Sequence, residues 1–354
     1  MMRTPLHEVH LASGAKLAPF AGYEMPIQYS GIIAESEAVR NGVGLFDVSH
    51  MARLTLTGPG VFDYLQWVTS NDIAKLADGT GQYSLLPNAE GGVIDDIIVY
   101  RESQEKFHMV VNASNHVKDL AWLKLNLRPG VEIEDVTEQT AMIAVQGPGA
   151  VERVAGLAAN PDALTSAPAF GTSTQAIAGI TTFAARSGYT GEDGFELICP
   201  ADRAIDLWKA LDATPCGLGS RDVLRVEAGL PLYGHELDDE LSPIAAGLGW
   251  VIGKEKDFIG SGPIRAAQSE GTPQKLRGIK LTQRRLPTPG MAVLHQGQQV
   301  GEVTSGVVSP FVGVGIAFAF VDSSLPLGAE VALDMRGKPE SATLVDKRFF
   351  RRAK

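Results

Sequence analysis

An aspartate pair, Asp95-Asp96, sits inside the most strand-like run of the sequence, Val93-Ile94-Asp95-Asp96-Ile97-Ile98-Val99-Tyr100. Aspartate is depleted in strands, and successive side chains point to opposite faces. Ile94, Ile98 and Tyr100 therefore share Asp96's face, while Val93, Ile97 and Val99 share Asp95's. At least one carboxylate must lie among apolar groups, where an unpaired charge costs several kcal/mol or the acid's pKa rises. Such perturbed acids concentrate where chemistry is done. The structural alternative is an acid that caps a turn or pairs with an arginine.

A second constellation is Ser187-Gly188-Tyr189-Thr190-Gly191-Glu192-Asp193-Gly194-Phe195-Glu196-Leu197. Its three glycines permit tight turns and close approach of a ligand. On a strand Glu196 faces away from Phe195 and Leu197, where its carboxylate could grip the adjacent N–H donors of a guanidine-like or pterin edge. An ordinary glycine-rich hairpin explains the same pattern, and the Gly-Lys-Ser/Thr ending of a phosphate loop is missing. A third segment, residues 217–229, carries Arg221 and Arg225 four apart on one helical face, with Ser220 placed to cap the helix. Two such arginines could clamp carboxylates bidentately, or simply pair with Asp222 and Glu227. No Ser/His/Asp or Cys/His arrangement for nucleophilic catalysis stands out.

The elements that must position these groups follow from periodicity. Residues 52–57 alternate as a half-buried strand, Gly58-Pro59-Gly60 breaks the chain, and Val61, Tyr64, Leu65 and Val68 recur at helical spacing. The same order returns at 142–146, Gly147-Pro148-Gly149 and Val151, Val154, Ala155 and Leu157, a weak duplication of a strand–turn–helix unit. Residues 93–100 and 107–112 form two strands joined by the polar loop 102–106. Asn115 can then cap a helix in which Leu120, Leu123 and Leu127 share a face. From about 276 onward short β-rich pieces follow one another (276–281, 299–304, 314–321, 330–335, 342–345) without helical period, as in a barrel or jelly roll, after a linker at 268–274. The fold class is α+β rather than a doubly wound parallel sheet.

A chain of 354 residues divides into two or three domains. Its net charge of −10 disfavours nucleic acid, whose binding rests on neutralised phosphates. No apolar run reaches membrane-spanning length and no signal peptide is visible, which points to the cytoplasm. Cys199 and Cys216 read as reduced thiols, and His235-Glu236 lacks the second histidine of a zinc helix, so no metal is expected. The basic end, 347–354, is either a solvated terminus or a docking patch for an acidic partner or polyanionic ligand.

Together these segments resemble the aminomethyltransferases (T-proteins) of the glycine cleavage system. The matching stretches run in order over nearly the whole chain: Thr4-Pro5-Leu6, Pro19-Phe20-Ala21-Gly22, residues 44–51, 91–96, 188–196, 221–229, 232–237 and Thr304-Ser305-Gly306. The resemblance implies a three-domain, ring-like α+β fold with folate in a central channel. Its domains would be 1–50 with about 155–265, a ferredoxin-like domain at 51–154, and a C-terminal barrel or jelly roll with Greek-key character at 276–354. It implies transfer of an aminomethyl group from the lipoyl arm of H-protein to tetrahydrofolate. Asp96 matches the family's key acid. By the same resemblance Glu196 holds the pterin's amino edge, Tyr83 and Tyr189 lie beside the ring, Met51, Val110 and Asn112 line the pocket, and Arg221 is the substrate-binding arginine. Pro168-Ala169-Phe170-Gly171 is poorer in aromatic residues than its counterparts. A flavin-bearing oxidase is disfavoured because no GxGxxG follows a strand, and a non-catalytic folate-binding relative because the strand acid is retained without a distinctive cysteine motif.

Overall fold

Two glycine-led turns set the first two sheets. Gly58 and Gly147 each follow a strand and open a helix, with φ of 113° and 131°. A Cβ on Gly58 would stand 2.2 Å from the Gly130 carbonyl oxygen, and one on Gly147 2.2 Å from that of Gly42. Both positions therefore require glycine for conformation and for space. The duplication read from the sequence is thus real at the level of strand, turn and helix: Ala52–Thr57 leads into Val61–Val68, and Thr140–Gln146 into Ala150–Ala155.

The computed structural model describes residues 1–352. The middle sheet is antiparallel, in the order Thr80–Pro87, Val93–Ser103, Lys106–Val111, Ala52–Thr57, Glu132–Asp135. Its last four strands and the helices Val61–Val68 and His116–Leu125 form a β-α-β-β-α-β unit of the split type, with Thr80–Pro87 added at the edge. A six-stranded sheet runs Thr172–Ile177, Ile180–Ala185, Gly194–Pro200, Thr140–Gln146, Gly44–Asp47, Thr214–Pro215. Thr140–Gln146, expected within the middle domain at 51–154, instead pairs on one side with Gly194–Pro200 and on the other with Gly44–Asp47. All but Thr140 of its side chains are buried, and its apolar run Ala141–Val145 draws it to a sheet centre rather than an edge.

The C-terminal strands close a barrel in the order Gln274–Leu281, Gly315–Asp322, Gln298–Val308, Ala292–His295, Glu330–Asp334, Pro339–Val345. Closure removes sheet edges. The short strand Ala292–His295 was not read from the sequence, and the expected linker at 268–274 begins inside the helix Ser261–Glu270.

Two shared cores, bridged by one helix, join the bodies into a ring. Phe46, Met142 and Ala144 of the six-stranded sheet pack with Tyr100 and Val110 of the middle sheet. Leu85 and Val93 of the middle sheet share a core with Ile316 and Phe318 of the barrel. Val223 and Val226, on the helix Leu218–Ala228, reach that same core, while Leu224 from the helix's other side packs with Phe46. No described helix is long and apolar enough to cross a membrane.

Candidate active site

The strand Val93–Ser103 outruns its partner. Pairing with Lys106–Val111 begins only at Ile98↔Val110, which leaves Asp95 and Asp96 beside the turn that follows Val111. Asn112 fills that gap. Its side-chain amide donates to the Asp96 carbonyl at 3.1 Å, standing in for a ladder bond. The same amide reaches Oδ1 of Asp96 and Oδ1 of Asp95, each at 2.9 Å. Its backbone N–H donates to Asp95 Oδ2 at 2.8 Å. Tyr83, on the neighbouring strand, donates its hydroxyl to Asp96 Oδ2 at 2.9 Å. Both oxygens of Asp96 are therefore held.

The two acids differ in access. Asp95 has no exposed surface, whereas Asp96 keeps a partly open face. Burial, and then the adjacent Asp95 charge, pushes the Asp96 pKa up to about 7, against the pull of Tyr83 and Asn112. Burial raises Asp95 as well. Burial and then Asp96 raise the Tyr83 phenol, which is therefore a hydrogen-bond donor. Asn115 does not cap the helix at His116 with its side chain. It donates its Nδ2 group to Asp95 Oδ1 at 2.5 Å, a charge-assisted bond that turns the side chain toward the buried carboxylate and leaves its oxygen away from the helix's first N–H groups.

The second group is built on the strand Gly194–Pro200. Phe195 and Leu197 enter one core while Glu196 points to the other face. Glu196 Oε2 accepts from Ser187 Oγ at 2.6 Å, and Ser187 Oγ accepts from the Tyr100 hydroxyl at 3.0 Å. Glu196 Oε1 lies 4.0 Å from Arg221 Nη2, too far for a hydrogen bond. Arg221 Nη1 is buried without a partner. A carboxylate acceptor and a guanidinium donor thus stand side by side with bonding capacity left over. The Arg221 guanidinium lies 5.0 Å from the Tyr189 ring centre and 6.0 Å from that of Phe46.

The expected clamp of two arginines is not formed. Arg225 is spent on Asp222 at 2.8 Å, Glu236 at 3.1 Å and Ser305 at 2.7 Å, across the join to the barrel. Glu227, offered as a helix partner, binds Arg40 instead. Ser220 is not the cap either: the helix starts at Leu218, and the Ser220 hydroxyl donates back to the Gly217 carbonyl. Only Arg221 is left for a ligand.

Of the residues singled out in the sequence, Asp96, Tyr83 and Asn112 form one hydrogen-bonded group, and Glu196 and Arg221 stand together beside Tyr189. Tyr189 bridges the two electrostatically, since its phenol feels Arg221 on one side and Asp96 on the other. Its hydroxyl is anchored on the Pro231 carbonyl. Met51 and Val110 share an apolar cluster with Phe46, Tyr100 and Phe170. Phe170, the aromatic residue of the 168–171 segment, packs into this cluster. The roles of two residues escaped the sequence reading. Ser187 orients Glu196, and Trp250, 67% exposed, lies nearly parallel to Tyr83 with ring centres 5.8 Å apart. The Trp250 signal was a lone aromatic in a glycine-broken apolar run; Ser187 carried none.

The basic end is neither free nor fully solvated over its described part. Phe350 is buried under the Arg40 guanidinium, 3.6 Å from its ring centre, and Arg352 pairs with Glu192. Ala353 and Lys354 lie outside the described residues.

A ring of two α+β bodies and a closed barrel is the architecture of the T-protein class of group-transfer enzymes. Residues 6–256 match the GCVT N-terminal domain family, and residues 274–351 the glycine cleavage T-protein C-terminal barrel domain. The chain is 43% identical to the aminomethyltransferase of Geobacillus kaustophilus, over all of both chains. It is 41% identical to that of Thermotoga maritima, over 99% of this chain and 98% of that one. The crystal structure of the glycine cleavage system aminomethyltransferase T from Bartonella henselae superposes with a TM-score of 0.92 at 31% identity, covering 99% of this chain and 98% of that one. The chain belongs to the aminomethyltransferase family of the glycine cleavage system.

Proposed function

We propose that this enzyme moves the methylene carbon of an aminomethyl group from the dihydrolipoyl arm of H-protein to tetrahydrofolate, in the cytoplasm. The products are 5,10-methylenetetrahydrofolate, ammonia and dihydrolipoyl H-protein. Tetrahydrofolate is a substrate here. Its pterin amino edge would donate to the free oxygen of Glu196, Arg221 would donate to an acceptor atom of the same ligand, and Tyr189 would lie beside the ring. Met51 and Val110 would contribute apolar walls, and Trp250 would extend the aromatic surface begun by Tyr83.

The chemistry needs one fixed negative charge. The carbon–sulfur bond breaks, and its electron pair leaves with the sulfur, which ends as a thiol. The carbon is left as a cationic iminium centre that folate N5 attacks. N10 then displaces ammonia, and the N10 proton must leave. A carboxylate beside these atoms stabilises the cation and accepts a hydrogen bond from N10–H. Asp96 suits this role because Tyr83 and Asn112 hold both its oxygens while one face stays open. This observation carries the reading.

The test is single-turnover ammonia release from aminomethylated H-protein, with and without tetrahydrofolate. Release should be fast and folate-dependent. Asp96→Asn should lower it by roughly 10²–10³-fold, by analogy with loss of one preorganised charge-stabilising group, with folate still bound. Near-normal turnover of that variant would sink the assignment. Glu196→Gln should instead weaken tetrahydrofolate binding by about 10-fold, the worth of one charge-assisted hydrogen bond.

A further inference from the structure

Behind the Asp95-Asp96 pair lies a third carboxyl group. Asp119, in the first turn of the helix His116–Leu125, has no exposed surface, and neither of its side-chain oxygens meets an N–H or O–H donor of another residue type. Its polar neighbour within hydrogen-bonding reach is the carboxyl of Asp95. Two ionised carboxylates cannot bond one another, and a buried carboxylate with no donor is among the costliest arrangements a protein can hold. One proton between them removes both problems. The surrounding donors decide where it resides. Asp95 accepts from the Asn112 backbone, the Asn112 amide and the Asn115 amide, all of which favour its ionised form. Asp119 has no such help.

We propose that Asp119 is a positioning residue of the transfer site: it carries a proton at neutral pH and donates it to Asp95, which then fixes Asn112, and through it Asp96. The inference rests on Asp96 being the reacting acid. It adds a chain of contacts that runs Asp119, Asp95, Asn112, Asp96, Tyr83 from the helix through two strands. It also means that Asp96 faces one negative neighbour rather than two.

The charged and titratable groups around the cluster agree with this assignment. From its own helix Lys118 is the adjacent cation, but its ammonium is turned to Tyr233 at 2.6 Å and Asp239 at 3.1 Å. From the strand Asp95 faces Asp119 and the charge of Asp96 acts on it from farther off; Tyr83 and Tyr189 lie near Asp96, and Tyr233, itself near Asp238 and Asp239, lies near Asp95. Asp95 and Asp96 add to the pressure that keeps Asp119 neutral, and Lys118 opposes it. Burial, followed by the charge of Asp95, pushes its pKa up to about 11.

Infrared difference spectroscopy of the full chain at neutral pH, wild type against Asp119→Asn, reads the proton directly and independently of turnover. The wild type should show a protonated-carboxyl C=O band that the variant lacks. Because asparagine is also a neutral donor, Asp119→Asn should keep the wild-type rate of ammonia release and leave its pH profile in place. Asp119→Val removes the donor and should lower kcat by roughly 10-fold or more, with the KM for tetrahydrofolate unchanged. Absence of the band, or an acid limb displaced to lower pH in Asp119→Asn, would mean an ionised Asp119 and would overturn the proposal. So would wild-type kcat in a folded Asp119→Val protein. Asp96→Asn, in the same assay, tests the reacting acid separately, and neither the band nor its loss depends on that result.

Discussion

At the scale of single residues, titration of the aspartate cluster is the most exposed consequence of the structure. The Asp96 pKa is raised to about 7, so its ionised fraction falls as pH drops through that value. If the carboxylate form does the work, ammonia release in single turnover should lose activity on the acid side with a midpoint near there. An acid limb at the ordinary carboxylate range would argue against it. Stability carries a second signature. Asp119 binds its proton more tightly folded than unfolded, with a folded pKa of about 11 against an ordinary 3.8. The stabilisation this provides is complete below the unfolded value and is lost as pH rises toward the folded one. Asp119→Asn abolishes that loss. Its unfolding midpoint should therefore gain on the wild type as pH is raised from roughly 5 to 9. A difference that stays flat would show that no proton is linked to folding there. The acid pair itself was legible, since aspartates inside an apolar strand defy propensity. Asp119 was not, because a helix aspartate looks solvated until its packing is known.

At the scale of elements, the helix Leu218–Ala228 separates two arginines that a helical wheel places together. Arg225 neutralises Glu236, which is fully buried and also accepts from Thr304, Ser305 and the Leu232 backbone. Replacing Arg225 with methionine strands that carboxylate, and should cost about 3–5 kcal/mol of stability in denaturant titration. Arg221→Met should cost under about 1 kcal/mol, since its guanidinium makes no hydrogen bond within the site to lose. It should instead weaken tetrahydrofolate binding. If the two variants behaved alike in stability, the division of labour would be wrong. Spacing fixed the shared face of this helix, but only the barrel packed against it decided which arginine is structural.

At the scale of the whole molecule, the C-terminal segment acts as a clasp. The backbone N–H groups of Phe349 and Phe350 both donate to the Glu227 carbonyl, Lys347 reaches the Ala246 carbonyl, and Arg352 binds Glu192 next to Arg40. The tail thus ties the barrel back to the six-stranded sheet and its helices, and closes the ring. Ending the chain after Asp346 removes two phenylalanines from packed positions, and should lower stability by about 4 kcal/mol. Arg352→Ala alone should cost about 1 kcal/mol, because Arg352 is itself partly exposed and Arg40 still pairs with the buried Glu192. A truncated protein with an unchanged denaturation midpoint would show that the clasp contributes nothing.

The order of strands and turns, the acid pair and the β-rich C-terminal region were all set locally. Alternation, glycine-led turns and propensity act over a few residues, and these signals survive without any knowledge of the rest of the chain. The family-matching stretches at Asp96, Glu196 and Arg221 lie in such segments. Long-range packing decided the remainder. Thr140–Gln146 joined the six-stranded sheet because two partners, distant in sequence, bury both its edges. Asn115 became a donor to Asp95 rather than a cap because the buried carboxylate holds its side chain away from the helix's first N–H groups. Ser187 met Tyr100 only when two sheets closed on one another, Trp250 met Tyr83 by packing across the chain, and Asp119 came behind Asp95 only when its helix packed on the middle sheet; partners set by tertiary contact leave no periodic trace in the sequence.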